Sequence, residues 1–469
     1  MSLENDFINF LKMEEELDLF SAKAGGVKFW ERIRFQVFAA IIRRASAGAV
    51  HRTPFKSKFA RLKRLLLSAF RFGRNPLIAP KADILFICTS RRFLEEDGLW
   101  WDIYSDPIIE NLGSSSVAVE THFNDQHYSP AKTAGLRYFD YFEFMSFLKR
   151  RLGIVNVVLT ESEAEVLEKI HREILKRFEF AMNIKSLTKR ILEERAVRLP
   201  YYVKMLGKIQ PKVVVMVQAY GREDIIEACK IQGVPCVELQ HGVIHPQHLG
   251  YAFAGEFRLK EMFPDYLLVW GDHWKSGVEF PVDDGHIVSV GFPYLDKRRS
   301  EIAEVSERRQ ILFISQGIIG NILSRFAVAL NKELGKEYTI LYKLHPRECV
   351  GWREQYPELA ASDVKVVDNP GERLHGLFPD CSIQIGVCST AIYEGLVFGL
   401  QSYLVDAPCI EIMTSLLERG LATKVSTPEE LVGFIKQNKK PKRHDVDYYF
   451  KVNALENIKT FLKDFIDSG

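Results

Sequence analysis

The sequence predicts an α/β protein with two Rossmann-like, doubly wound lobes behind a helical, basic N-terminal extension. Three observations predict it. From residue 81 onward, apolar runs of about five residues alternate with helical stretches. The alternation stops at a charged segment, residues 296–310, and then restarts. Residues 51–75 carry eight Lys/Arg and no acid, although the whole chain holds 63 basic and 61 acidic residues. Apolar strands separated by helices indicate parallel sheets covered on both faces.

In chain order, Phe29, Ile33, Val37 and Ile41 recur at helical spacing and place a helix in the first 80 residues. Phe55, Phe59, Leu62, Leu66 and Phe70 form one face of a second, basic helix. Strands are expected at 83–88, 116–120, 213–217, 235–239 and 266–270, with a long polar helix across about 160–207. These make an N-terminal lobe over 81–295. Residues 296–310 read as a linker. A second series at 311–314, 338–342, 364–367, 383–385 and 402–405 makes a C-terminal lobe over 311–440, followed by a C-terminal helix within 441–469.

Composition narrows the classes. The chain has 469 residues, 47% hydrophobic and 26% charged, which suits folded domains rather than disorder. A net charge of +2 gives no global attraction to nucleic acid. Seven cysteines without a CxxC pair argue against a disulfide framework or a thiolate zinc site, and fit a reducing cytoplasm. The acidic start lacks a secretory signal pattern, and no apolar run approaches the roughly 18 residues of a membrane span.

Ligands of open parallel sheets bind beyond the carboxyl ends of the strands, so the turns there carry the functional reading. After the strand at 311–314 come Ser315, Gln316 and Gly317, a turn whose N–H groups can approach an anion. After 338–342 come His345, Pro346 and Arg347. The imidazole suits a phosphate oxygen or a proton transfer, or else a local turn contact. After 383–385 come Ser389 and Thr390 at a helix start, with Glu394 one turn in, facing a sugar hydroxyl or serving as an ordinary cap. Three anion-suited turns in one lobe describe a cradle for a diphosphate or a nucleotide monophosphate. No GxxxxGK[ST] or GxGxxG occurs in the required context. In the N-terminal lobe, His241 sits in Gln240-His241-Gly242, followed by His245 and His248 in a stretch broken by Pro246, which does not make a convincing metal set. Glu96-Asp97-Gly98 supplies a carboxylate that can serve as general base where its surroundings raise its pKa. Trp100 and Trp101 beyond it suit stacking on a sugar ring or plain packing.

Gln240-His241-Gly242, His345-Pro346 and Ser389-Thr390 with Glu394, on two such lobes, resemble the GT-B glycosyltransferases of bacterial surface polysaccharide assembly. That group includes Kdo transferases, polysialyltransferases and CDP-glycerol glycerophosphotransferases. Lys28-Phe29-Trp30-Glu31-Arg32-Ile33-Arg34 also looks like the lead segment of some surface-carbohydrate proteins. The resemblance implies donor contacts from His345, Ser389 and Thr390. It implies a base at Asp97 by the polysialyltransferase pattern, or at His241 by the glycerophosphotransferase pattern. Val243-Ile244 departs from the Thr-Pro that usually follows His-Gly, which argues against a glycerol-phosphate donor.

The expectation is therefore a metal-independent, cytoplasmic glycosyltransferase without a resident cofactor. It would take a nucleotide-sugar donor and a glycan or glycolipid acceptor. The basic stretch would contact the anionic inner face of the cytoplasmic membrane. A nucleotide-sugar 2-epimerase and a non-catalytic glycan- or nucleotide-binding scaffold are the rival readings.

Overall fold

The computed structural model describes residues 3–45, 71–123, 126–253, 261–300, 309–317, 319–369, 373–437 and 446–467. Most of the basic segment, residues 51–70, lies outside the described residues, as do 301–308 and 438–445. The chain divides into two compact units. One comprises residues 1–47, 52–293 and 453–469, and the other 48–51 and 294–452.

The first unit is built on a seven-stranded sheet: β1 (Ile84–Ile87), β2 (Ser116–Glu120), β3 (Arg137–Tyr138), β4 (Val213–Val217), β5 (Cys236–Leu239), β6 (Tyr266–Val269) and β7 (Ile287–Ser289). Every pairing is parallel, in the order β7-β6-β5-β4-β1-β2-β3. Alternate side chains of these strands enter two different cores. Leu85, Ile87, Val214 and Met216 pack with Phe142, Met205, Ile209 and Ile226. Ile84, Phe86, Val213 and Val215 pack with Ile108, Ile458 and Leu462. The C-terminal helix, Ala454–Asp467, is thus part of the first unit's second face rather than a separate appendage.

The N-terminal helices Leu3–Glu16 and Trp30–Ala45 also belong to this unit. Phe29, Ile33, Val37 and Ile41 are all buried, against Phe10, Leu167, Ile170 and Ile191. Trp30 donates its indole N–H to the buried Glu14 at 2.6 Å. Arg34 binds the same carboxylate at 2.7 Å and also caps the Leu249 carbonyl at 2.6 Å. The Trp-Arg segment is therefore an anchor for packing. The helix expected across 160–207 is two helices, Glu161–Phe178 and Ile184–Ile209. Glu179 turns left-handed at φ 49°, and Asn183 caps the second helix through the Ser186 N–H at 2.8 Å.

The second unit carries a six-stranded sheet: β8 (Gln310–Ile314), β9 (Thr339–Lys343), β10 (Lys365–Val367), β11 (Cys381–Gly386), β12 (Gln401–Val405) and β13 (Ala422–Val425). It is parallel throughout, in the order β10-β9-β8-β11-β12-β13. Helix Gly320–Leu334 buries Leu323, Ala327 and Leu330 against Ile311, Phe313 and Ile340. The segment expected as a linker starts inside a helix, Pro293–Ser300, and its last residue already belongs to β8. Both sheets reverse strand order next to their first strand, at β1/β4 and at β8/β11. These are the topological switch points where doubly wound sheets open for ligands.

Candidate active site

In the second unit, β9, β8 and β11 are consecutive in the sheet, so the turns after them stand side by side. Ser315 is buried at the end of β8. Its hydroxyl lies 3.0 Å from the Tyr342 hydroxyl and donates to Glu348 Oε1 at 3.1 Å. Glu348 also accepts the Tyr356 hydroxyl and, through Oε2, the His345 N–H at 2.9 Å. Burial pushes the Glu348 carboxyl up, and its three hydrogen bonds oppose that. One buried carboxylate thus ties the turn after β8 to the turn carrying His345. Gly320 makes room for it: a Cβ there would lie 2.6 Å from Glu348 Oε1 and closer still to the Tyr356 hydroxyl. Sequence reasoning missed Glu348, whose position three residues past His345 is the signal that was available.

His345 is half-buried, and Pro346 and Arg347 are exposed. The Arg347 N–H donates to His345 Nδ1 at 3.2 Å. With Nδ1 accepting, the neutral ring carries its proton on Nε2 and is a donor there. Gln316 links the other way, across the switch point. Its Nε2 donates to the Cys388 carbonyl at 3.2 Å, and the Cys388 thiol donates to its Oε1 at 3.2 Å. Gly317 is exposed beside it.

Ser389 caps helix Thr390–Val397, its hydroxyl accepting the Ala391 N–H at 3.3 Å. The helix is seated by the buried Gln384, which donates to the Ile392 carbonyl at 2.7 Å and to Ser402 at 2.8 Å. Gly395 is needed for that close approach, since any Cβ would meet the Gln384 amide. Glu394 Oε2 lies 2.9 Å from His375 Nε2, at ion-pair distance but without hydrogen-bond alignment. His375 is a second residue that sequence reasoning missed. Gln316, Gly317, His345, Pro346, Ser389 and Thr390 therefore lie on three adjacent turns along one carboxyl edge. Glu394 lies a turn further in, next to His375.

In the first unit, Gln240 is buried and holds the turn after β5. Its Nε2 donates to the Gly242 carbonyl at 2.8 Å, and its Oε1 accepts the Trp270 N–H at 2.8 Å. His241 then has its carbonyl capped by the Tyr104 hydroxyl at 2.8 Å and its Nε2 set 2.8 Å from the Tyr220 hydroxyl. Nδ1 is enclosed and has no hydrogen-bond partner among the described residues. Burial, with Arg222 nearby, pushes the imidazole pKa down to about 4, so the ring is neutral at physiological pH. Arg222 itself spans the β1/β4 switch point by donating to the Cys88 carbonyl at 3.1 Å.

Glu96 and Asp97 are elsewhere, exposed on the tip of a small ribbon pairing Phe93–Leu94 with Trp100–Trp101. The Leu99 N–H at 3.0 Å and Lys132 at 3.4 Å hold Asp97. The Leu99 N–H foremost, then Lys132, lower its pKa. That is the opposite of what the general-base expectation for Asp97 requires. Trp100 stacks on Tyr128 with ring centroids 4.2 Å apart, and Trp101 is buried. The ribbon rests on Arg92, which is fully buried between Glu120 at 2.7 Å and Asp106 at 3.0 Å. His127 bridges Glu120 and Asp140, each at 2.9 Å. This network fixes the loop after β1.

No protein-family model and no curated protein sequence matches the chain. Solved structures do. A putative UDP-N-acetylglucosamine 2-epimerase from Listeria monocytogenes is similar at a TM-score of 0.50 and 11% identity, covering 83% of this chain and 98% of that one. MurG from Acinetobacter baumannii is similar at 0.46 and 11% identity, covering 82% and 100%. The wall teichoic acid polymerase TagF, as an H548A variant, is similar at 0.46 and 12% identity, covering 93% and 97%. The two Rossmann-like parallel-sheet units are the α/β architecture of the GT-B fold.

Proposed function

We propose that the protein is a metal-independent glycosyltransferase that takes a nucleoside-diphosphate sugar on its second unit. One observation carries the reading: three adjacent turns at the β8/β11 switch point, cross-linked by Gln316 and Glu348, offer a histidine donor, a hydroxyl-capped helix N-terminus and a glycine turn. That set suits a diphosphate leaving group, because fixed N–H donors and a helix dipole stabilise its charge as the sugar–oxygen bond breaks. Glu394 beside His375 suits a sugar hydroxyl. For the acceptor's proton the resemblance offers His241 or Asp97 of the first unit, and burial keeps the His241 ring neutral, in the form that can take up a proton. The acceptor in this reading is a bacterial surface glycan, of capsule or lipopolysaccharide type. It is lipid-linked, and the basic residues 51–75 favour an anionic leaflet. Vesicle binding that ignores anionic lipid content would remove this last part.

A second reading, nucleotide-sugar 2-epimerase, is favoured by the Listeria neighbour, whose name also makes UDP the first nucleotide to test. The test is a thermal-shift screen with UDP, CDP, CMP, GDP and dTDP, repeated on His345→Ala and Ser389→Ala. A bound nucleotide raises apparent stability, by about 2.7 kcal/mol at a hundredfold excess over Kd. The expected result is a shift with one nucleotide that shrinks in both variants. No shift with any of the five would sink the reading. Conversion of UDP-N-acetylglucosamine without an acceptor would decide for the epimerase.

A further inference from the structure

The seven cysteines are all free thiols, and two of them sit beside the candidate phosphate site. β11 and β12 are parallel neighbours with Gly386 opposite Leu404. Cys388 lies two residues past the end of β11, and Cys409 stands in the turn after β12, so both lie on adjacent turns of one sheet edge. The two thiols are close enough for each to shift the other's titration. Both residues are half-buried, open enough for a small oxidant. Cys229 and Cys236 also touch, but both are sealed in the core under β4 and β5. Cys409 holds φ 76°, a left-handed conformation that glycine or asparagine adopts at lower cost. The neighbouring Cys388 thiol also pushes the Cys409 thiol's pKa down, which makes Cys409 the nucleophile of the pair.

We propose that Cys388 and Cys409 form a reversible dithiol–disulfide site that switches the neighbouring nucleotide edge off when oxidised. With hydrogen peroxide as oxidant, the Cys409 thiolate attacks one peroxide oxygen. The O–O bond breaks, hydroxide leaves and takes up a proton, and Cys409 becomes a sulfenic acid. The Cys388 thiol then attacks that sulfur, expelling water and forming the S–S bond. Two thiols lose two electrons and two protons, and one peroxide becomes two waters. A thiol or dithiol reductant reverses the bond by exchange. The bond consumes the Cys388 S–H that donates to Gln316 Oε1, so one of the two hydrogen bonds across the switch point is lost next to the Ser389 cap. The disulfide stands independently of the proposed function, whereas its effect on nucleotide binding rests on that reading.

Brief peroxide treatment of the full-length protein, alkylation, and digestion with trypsin plus a glutamyl endopeptidase provide the test. Cleavage at Arg373, Glu394 and Glu411 leaves peptides 374–394 and 395–411 joined only by a disulfide. The pair is expected in the wild type, released by dithiothreitol, and absent from both Cys388→Ser and Cys409→Ser. Separate peptides in the oxidised wild type, or a link surviving in Cys388→Ser through Cys381, would overturn the site. In parallel, UDP affinity is expected to fall at least about tenfold on oxidation, to recover with dithiothreitol, and to ignore peroxide in Cys409→Ser. Equal affinity of oxidised and reduced protein would overturn the switch. Reduced protein that fails to bind UDP, with the cross-link present, would instead overturn the nucleotide-site reading and with it the switch, leaving the dithiol site standing.

Discussion

His241 shows how one side chain's surroundings define its chemistry. Enclosure on the first sheet's edge removes the water that would stabilise an imidazolium, and Arg222 adds to the effect. The folded state therefore binds the proton more weakly than the unfolded chain. Between the ordinary value of 6.5 and the folded value of about 4, the unfolded state holds more protons, so stability must fall as pH drops through that window. His241→Asn is expected to flatten the Tm-versus-pH curve there, measured by calorimetry from pH 7 to pH 4. An unchanged slope would show that this ring does not titrate as described. The neighbours that give His241 its state were not readable beforehand. Tyr220 is 21 residues away in sequence, and only the parallel pairing of β4 with β5 brings the two rings together. Asp97 went the other way. Its Glu-Asp-Gly letters suggested a base, but Gly98 at φ 76° makes them an exposed turn whose own backbone holds the carboxylate ionised.

At the scale of elements, the central strands were legible because they are buried on both faces and read as unbroken apolar runs, Val213–Val217 most plainly. The edge strands β3, β7 and β13 were not. They are short, and β13 buries only its two end residues, Ala422 and Val425, with Thr423 and Lys424 exposed between them. The break at Glu179 was hidden because neither glycine nor proline marks it. Helix Gly320–Leu334 matters most to the candidate site, since its first turn lies against Glu348 and its length is held by the core. Leu330 is fully buried there. Leu330→Ala is expected to cost about 2–5 kcal/mol, by lost transfer energy plus the cavity left behind. Urea denaturation would check it, and a loss under about 0.5 kcal/mol, the scale of surface substitutions, would contradict this packing.

At the scale of the molecule, each unit is a complete doubly wound sheet, and the chain returns at its end to supply the first unit's last helix. That return was not visible in the sequence, because an amphipathic helix does not say which surface it covers. The ordering of the second sheet was the decisive regularity. Once β9, β8 and β11 are neighbours, residues as far apart in sequence as Gln316 and Cys388, 72 positions, share one edge without any further design. Composition and strand spacing foretold that edge, whereas Glu348 and His375, which hold and flank it, emerged only from the folded arrangement.

Hydrogen–deuterium exchange of the full-length protein with and without UDP tests the central claim most directly. The account predicts slower exchange at residues 315–317, 345–348 and 388–391 together, with little change elsewhere in the second unit. Protection confined to the first unit, or to only one of those three turns, would contradict it.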